Sequence, residues 1–192
     1  MSFDDSSLLR PELSELEAYV PDLATDSIRL DANEASPILA DAVRRQLGSA
    51  ALCEWERYPD PTASELRRAI ARRHGVSPEE VFVGIGSDEI IANLLSACGR
   101  PGRKPPTALT VSPTFAMYKI SAKVCGLNVV EVPLEQHWDL SMPALEQAVG
   151  LTESRLVFIA SPNNPTGTMA SPALLGQLIE AAEGTLVVID EA

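Results

Sequence analysis

The feature that most constrains the fold is a regular alternation of short apolar runs with helical stretches from residue 81 onward. The runs are VFVGI (81–85), ALTV (108–111), NVVEV (128–132), RLVFIA (155–160) and TLVVI (185–189). Helices are predicted between them, at about 87–98, 114–125, 141–149 and 171–183. This alternation predicts right-handed βαβ units, and runs that are apolar on both faces suit a sheet with both faces buried. The predicted fold class is α/β, with a mostly parallel sheet covered by helices on both faces.

The chain before residue 81 is predicted to contain an arm and two helices. Residues 1–35 show weak periodicity and mixed polarity, which favours an N-terminal arm. SPILADAVRRQLG is predicted to be a helix that has Ser36 as its N-cap and ends at Gly48. In TASELRRAIARRHG, Thr62 and Glu65 have the spacing of a capping box, and the final glycine is predicted to be the C-cap.

Composition excludes several classes of function. The 192 residues are 45% hydrophobic and contain no apolar run long enough to span a membrane, and the acidic N-terminus does not resemble a secretory signal. Cys53, Cys98 and Cys125 form no C-x-x-C pair, so neither a zinc site nor a disulfide framework is predicted and a cytoplasmic location is expected. A net charge of -12 argues against nucleic acid or a membrane surface as a partner.

Parallel sheets bind ligands beyond the carboxyl ends of their strands, so the residues that follow each run are the candidate site. GSDEII follows the first run, with Ser87, Asp88 and Glu89 opening a predicted helix. A glycine turn before a helix N-terminus can bind a phosphate through free N–H groups, although an ordinary capped helix has the same pattern. GIGSDE lacks the third glycine of a dinucleotide-binding fingerprint, so that function is rejected.

Two further loops carry candidate residues. Phe115 in SPTFAMY begins a predicted helix at the sheet edge, where it is either a core aromatic or a ring that stacks on a flat ligand. SPNNPTG contains two prolines and a glycine, and such a rigid loop either holds the amide of Asn163 or Asn164 in one orientation or is an elaborate connection.

Asp190 ends the last apolar run, and a carboxylate in that position requires a partner. A cationic ring nitrogen is one possible partner. A hydrated magnesium ion is another, because VVIDEA resembles the acidic motif of P-loop ATPases. The sequence contains no Gly-Lys pair, so the required phosphate-binding loop is absent and the ATPase hypothesis fails. No metal site is predicted.

Several motifs together resemble a known family. In order they are LDANEASP (30–37), RYPDP (57–61), GSDEII (86–91), SPTFAMY (112–118), SPNNPTG (161–167) and VVIDEA (187–192). Their order and spacing resemble the fold-type-I pyridoxal-phosphate aminotransferases and, more closely, the histidinol-phosphate aminotransferases. The resemblance implies pyridoxal 5'-phosphate as cofactor. It also implies amino transfer between L-histidinol phosphate and 2-oxoglutarate, which forms glutamate, in histidine biosynthesis.

Residue roles follow from the resemblance, motif by motif. Residues 87–89 would line the cofactor phosphate, mainly through backbone N–H groups. Phe115 holds the position of the ring-stacking aromatic, which is usually tyrosine in the family. Asn164 would hydrogen-bond the phenolic oxygen of the cofactor. Asp190 would pair with the pyridinium nitrogen and thereby act in catalysis.

The resemblance also implies a homodimer with shared sites. Tyr58 would reach the cofactor phosphate of the partner subunit, and Tyr19, in YVPD, would lie on the arm that closes over the substrate. The sequence departs from the family pattern at Asp31, where asparagine is common, and at Ala35-Ser36, where Asn-Pro is usual. Both departures fall on the segment associated with substrate contacts.

The resemblance predicts an incomplete enzyme, because the lysine that forms the Schiff base follows the DEA strand in the family. The only lysines here are Lys104, Lys119 and Lys123, and none follows a strand. We therefore expect residues 36–192 to be an incomplete pyridoxal-phosphate-binding large domain that cannot transaminate as given. The alternatives are a related enzyme, such as an aromatic amino acid aminotransferase or a phosphothreonine decarboxylase, or a non-catalytic binding fragment.

Overall fold

A computed structural model describes residues 16, 40–49, 60–99, 105–152 and 154–192. Apart from Leu16, these residues fall into two compact units, 40–84 and 85–192. Several predictions concern residues outside the described ranges. They are the 1–35 arm with Tyr19 and Asp31, the Ser36 cap, Cys53, Tyr58 and Lys104.

The first unit contains helix α1 (Ala40–Ser49), helix α2 (Ser64–His74) and a short 3₁₀ helix (Pro78–Glu80). Both helices form as predicted, except that α1 continues through its predicted end at Gly48 to Ser49. The C-cap of α2 at Gly75 is confirmed, at φ 70°. The capping box predicted from Thr62 is wrong. The N-cap of α2 is Ala63, in the left-handed region at φ 46°, and its side chain makes no capping hydrogen bond.

An upstream carboxylate explains why that capping box does not form. Asp60 accepts hydrogen bonds at 2.5–3.0 Å from the backbone N–H and the hydroxyl of both Thr62 and Ser64. A charged acceptor makes stronger hydrogen bonds than a neutral hydroxyl, so it displaces Thr62 as the capping group. The Ser64 hydroxyl and the other three donors hold the pKa of Asp60 well below its ordinary range.

The strand predicted at 81–85 is also wrong, since residues 81–84 pair with no strand among the described residues. Val81 has extended backbone, at φ -109° and ψ 121°. Its carbonyl instead accepts a hydrogen bond of 2.7 Å from Arg67 Nε, while Arg67 Nη2 donates to the carbonyl of Pro78 at 2.5 Å. High β-propensity therefore produced an extended backbone without a neighbouring strand.

The second unit alternates strands and helices as predicted. Its α-helices and strands in chain order are α3 (Gly86–Cys98), β1 (Thr107–Ser112), α4 (Ala116–Val124), β2 (Asn128–Pro133), α5 (Met142–Thr152), β3 (Ser154–Ala160), α6 (Pro172–Ala181) and β4 (Leu186–Asp190). Each lies within three residues of its predicted bounds. None of the helices in the described ranges is long and apolar enough to cross a membrane.

The four strands form one parallel sheet in the order β2–β1–β3–β4. The chain moves from β1 outward to β2, returns to β3 on the other side of β1, and then continues to β4. The direction of strand progression therefore changes between β1 and β3. In open parallel sheets, this switch point opens a crevice at the carboxyl ends of the strands.

Helices cover both faces of the sheet, which confirms the predicted fold class. On one face, α3 and α4 form a first core with alternate strand residues, including Ala108, Phe158 and Ala160. On the opposite face, α5 and α6 form a second core around Leu109 and Val157. The central strands β1 and β3 are buried on both faces, as their continuous apolar runs predicted.

Candidate functional site

The loops after β1 and β3 meet at the switch point and are joined by Asn163. Its Oδ1 accepts a hydrogen bond from Thr114 Oγ1 at 2.7 Å, and its Nδ2 donates to the carbonyl of Pro113 and to Thr166 Oγ1, both at 3.0 Å. The Asn163 residue is only 6% exposed. Its amide is therefore fully committed to holding the two loops together.

Asn164 differs from its neighbour in exposure and in contacts. It is exposed, and among the described residues its side chain makes no hydrogen bond. Its amide thus retains two donors and an acceptor for a ligand, on a backbone that Asn163 holds in place. The sequence left either asparagine as the oriented amide. The structure gives Asn163 an internal role and leaves Asn164 accessible.

Asp190 ends β4 with its side chain directed toward the face that carries α3 and α4. Its strand partner Ala160 and the preceding alternate residue Val188 both contact the first core, and alternate residues of a strand share a face. Asp190 Oδ2 accepts a hydrogen bond from the hydroxyl of Tyr118 at 2.7 Å, and Oδ1 accepts one from the backbone N–H of Ala192 at 3.1 Å. The carboxylate is thus held on both of its oxygens.

The Tyr118 ring is fixed by two aromatic neighbours. It is 1% exposed and stacks on Phe158 with ring centroids 5.0 Å apart and planes 13° apart. Phe115 meets it edge to face, at 5.6 Å and 84°. Burial raises the pKa of the Tyr118 hydroxyl, and the hydrogen bond and negative charge of Asp190 raise it further. The hydroxyl therefore remains a neutral donor at physiological pH.

Phe115 is the N-cap residue of α4 and is partly buried at the border of the first core. The two alternatives for this ring were a core residue and a ligand-stacking residue. Its position is compatible with both, because one part of the ring contacts Tyr118 and another part is accessible. Tyr118 thereby contacts both Phe115 and Asp190.

The amino end of α3 is directed toward the same edge of the sheet. A side chain at Gly99, just past the carboxyl end of α3, would lie 3.7 Å from Leu127, which immediately precedes β2. The 13 residues of α3 span about 20 Å, close to the length of a six-residue strand. The carboxyl end of α3 therefore lies at the amino edge of the sheet and its amino end toward the carboxyl edge.

The first turn of α3 carries the predicted phosphate contacts. Gly86 has φ 77°, Ser87 is partly buried, and Asp88 and Glu89 are exposed. Glu89 Oε2 accepts a hydrogen bond from the backbone N–H of Ile85 at 2.5 Å, so this side chain caps its own helix. A phosphate at this turn would have to bind through the remaining N–H groups and Ser87.

No group of three or more His, Cys, Asp or Glu side chains within the described residues could hold a metal ion. Lys119 is exposed and forms an ion pair with Glu131 at 2.5 Å. What remains at the sheet edge is an oriented carboxylate, an accessible amide, an aromatic ring and a helix N-terminus. Such a set suits a flat anionic ligand with a polar ring atom.

Sequence reasoning missed two residues of this site, Tyr118 and Asn163 in its internal role. A signal for Tyr118 was present, because it follows Phe115 by three positions and residues at that spacing share a helix face. A tyrosine on a buried face requires a hydrogen-bond partner. The partner itself is 72 residues away in the sequence and could not be identified locally.

Comparison with known proteins gives a family match over most of the chain. Residues 22–192 match the family model for class I and II aminotransferases. A histidinol-phosphate aminotransferase of Caldanaerobacter subterraneus is 36% identical over 187 residues, which are 97% of this chain and 52% of that protein. Histidinol-phosphate aminotransferase 2 of Nitrosococcus oceani is 40% identical over 190 residues, which are 96% of this chain and 51% of that protein.

A solved structure gives a similar match. The histidinol-phosphate aminotransferase of Sinorhizobium meliloti, in complex with pyridoxal-5'-phosphate, superposes with a TM-score of 0.67 at 26% identity. The superposition covers 82% of this chain and 41% of that one. This chain therefore spans about half the length of the relatives it matches.

Proposed function

This chain belongs to the class I and II aminotransferase family, and on that premise we propose that it binds pyridoxal 5'-phosphate and serves histidine biosynthesis. The proposed reaction transfers an amino group between L-histidinol phosphate and 2-oxoglutarate, and the 2-oxoglutarate that accepts it becomes glutamate. Relatives named as histidinol-phosphate aminotransferases support this substrate, and the complex from Sinorhizobium meliloti supports the cofactor.

The observation that carries the proposal is the Asp190 carboxylate at the carboxyl end of β4, on the sheet face where α4 begins with an aromatic residue. The ring nitrogen of the cofactor binds a proton, and a neighbouring carboxylate favours its protonated form. Phe115 offers an aromatic face to the ring, and Asn164 offers an accessible amide to the phenolic oxygen. These groups match the chemistry of the cofactor.

The cofactor supplies an electron sink for the carbanion that forms when the substrate loses its Cα proton. The residues of this chain prepare it for that task. Asp190 would pair with the protonated ring nitrogen, and Phe115 would stack on the ring. The first turn of α3 would hold the phosphate through backbone N–H groups and Ser87, with Asp88 and Glu89 beside it.

The remaining parts of the proposal concern assembly. We expect a cytoplasmic homodimer, in which Tyr58 contacts the cofactor phosphate of the partner subunit and Tyr19 closes over the substrate. Residues 1–35 would form the arm and residues 36–192 part of the large cofactor-binding domain. The lysine that would anchor the cofactor is not Lys119, which pairs with Glu131 on the surface.

The test uses the protein as its own gene encodes it, with any residues that follow Ala192. Pyridoxamine 5'-phosphate is the probe, because it binds without forming a bond to lysine. We expect Asp190→Asn and Asn164→Ala each to weaken its binding. For Asp190→Asn, which removes the charged contact, the loss should be about 10-fold or more. Glu146→Gln, at an exposed position of α5, is the matched control and should bind like the wild type. Absence of binding by the wild type would refute the cofactor assignment.

Substrate choice is tested separately. We expect turnover of L-histidinol phosphate to exceed that of phenylalanine and of phosphothreonine. Faster turnover of phenylalanine would assign the protein to the aromatic amino acid aminotransferases, and carbon dioxide release from phosphothreonine would assign it to the decarboxylases. Binding of the probe with no turnover of any of the three would favour a non-catalytic binding protein.

A further inference from the structure

We propose that Tyr118 is a positioning residue that orients the Asp190 carboxylate toward the pyridine nitrogen of the cofactor. This inference rests on the proposed cofactor site. Tyr118 does not itself reach the reacting atoms in this account. It acts through Asp190, to whose Oδ2 its hydroxyl donates a hydrogen bond of 2.7 Å.

The hydrogen bond fixes a side chain that would otherwise rotate. Asp190 lies at the last position of β4, which among the described residues pairs with β3 alone, and it is only partly buried, so β4 by itself does not restrict its carboxylate. Tyr118 holds one oxygen and the N–H of Ala192 holds the other. A carboxylate has about four acceptor positions, so these two contacts leave capacity for a third donor, such as a ring N–H.

Tyr118 is suited to this task because its own ring cannot move. It lies in the first core, 1% exposed, stacked on Phe158 from β3 and in edge contact with Phe115. Phe158, which stacks on Tyr118, lies on β3, and Asp190, which accepts its hydrogen bond, lies on the neighbouring strand β4. Tyr118 therefore restrains the carboxylate at the end of β4 relative to the buried strand β3.

The hydroxyl is a lasting donor to Asp190. Burial raises the pKa of the Tyr118 phenol, and the hydrogen bond and negative charge of Asp190 raise it further. The phenol therefore keeps its proton, and donates a hydrogen bond to Asp190 Oδ2, throughout the physiological pH range.

A double-mutant cycle tests the proposal, with pyridoxamine 5'-phosphate as the probe and the gene-encoded protein freed of cofactor. Tyr118→Phe keeps the aromatic ring and removes the hydroxyl. It should weaken probe binding about 3- to 15-fold, the range expected for one net hydrogen bond. In an Asp190→Asn background the same change should alter affinity less than about twofold, because the charged group through which Tyr118 acts is gone.

The matched control is Thr185→Val, immediately before β4, which removes a hydroxyl that donates to the carbonyl of Ser154 at 3.0 Å. It should leave probe affinity unchanged in both backgrounds. Equal weakening by Tyr118→Phe in both backgrounds would show a general packing effect and overturn the proposal. Wild-type affinity in Tyr118→Phe would overturn it as well.

Two further outcomes are distinguishable. Should Tyr118→Phe fail to fold, fluorotyrosine at position 118 keeps the ring and changes the acidity of the hydroxyl. We then expect an altered affinity only where Asp190 is present, and the same alteration in both backgrounds would reject the proposal. Absence of probe binding by the wild type would reject the proposed function and this inference together. Effects of Tyr118→Phe and Asp190→Asn on probe affinity that simply add in the double variant would reject this inference alone.

Discussion

The hydroxyl of Thr114 donates a hydrogen bond of 2.7 Å to Asn163 Oδ1 and so joins the loop after β1 to the loop after β3. The two residues are 49 positions apart in the sequence. Through this contact the two loops of the switch point behave as one unit. Phe115 follows one end of the contact and Asn164 follows the other, so the two proposed ligand contacts share a single support.

Asn163→Ala should destabilise the protein. The change removes three side-chain hydrogen bonds from a residue that is 6% exposed and leaves their partners unsatisfied. The free energy of unfolding should fall by about 2–4 kcal/mol, as measured by urea denaturation. The neighbouring change Asn164→Ala is the control and should stay within about 0.5 kcal/mol of the wild type, since that side chain is exposed. Equal losses would contradict the division of roles.

Tyr118 should make stability depend on pH at the alkaline end. Its pKa is raised above the ordinary value of 10.0 in the folded protein, so its contribution is complete below pH 10. Above that pH the unfolded chain releases a proton that the folded chain retains, and stability falls. The slope attributable to this residue should approach about 1.4 kcal/mol per pH unit. Denaturation of the wild type and Tyr118→Phe between pH 9 and 11 measures it, and parallel curves would contradict the prediction.

Glu89→Gln should strengthen phosphate binding at the first turn of α3. Glutamine can still accept the hydrogen bond from Ile85 N–H, so the cap is retained while a negative charge beside the proposed phosphate is removed. Affinity for pyridoxamine 5'-phosphate should rise about two- to fivefold at low salt, and the gain should shrink as salt screens the charge. Glu180→Gln on α6 is the control. Weaker binding by the Glu89 variant would show that the carboxylate assists the ligand.

Leu145→Ala should be strongly destabilising because Leu145 is fully buried in the second core, on the face covered by α5 and α6. A loss of about 2–5 kcal/mol in the free energy of unfolding is typical of such a cavity. Leu151 lies on the same helix and is 75% exposed, so Leu151→Ala should change stability by less than about 0.5 kcal/mol. A small loss at both positions would indicate that α5 is loosely packed.

The fold of the second unit could be predicted because its strands are buried on both faces. LVFIA (156–160) is continuously apolar and ALTV (108–111) is interrupted only by Thr110, and such short runs between helices are typical of a sheet covered on both sides. VFVGI has the same local character, yet residues 81–84 form no strand. Strand formation requires a neighbour, and the sequence of a single run does not specify one.

Helix caps illustrate the same difference between local and competing signals. Thr62 with Glu65, and Ser77 with Glu80, both have capping-box spacing, but only the second pair forms the box. The first pair loses to Asp60, whose charge makes it the stronger acceptor. Only the first pair was predicted to form a box, and that prediction is wrong because the outcome depended on Asp60, a residue outside the pattern.

The candidate site was predictable as a set of positions and not as a set of contacts. The residues that follow β1, β3 and β4 could be named because parallel strands end at one edge of a sheet. Which asparagine is accessible depends on burial, and the partner of Asp190 comes from α4, far away in the sequence. Both facts require the three-dimensional packing.

Strand β4 pairs with β3 on one side, and within the described residues nothing pairs with its other side. The peptide groups along that outer edge can therefore accept a strand from another molecule. Leu186, 43% exposed, adds an apolar contact there. Concentrated samples of the 192-residue chain should consequently scatter light more than dilute ones, and titrations are best performed at low micromolar protein.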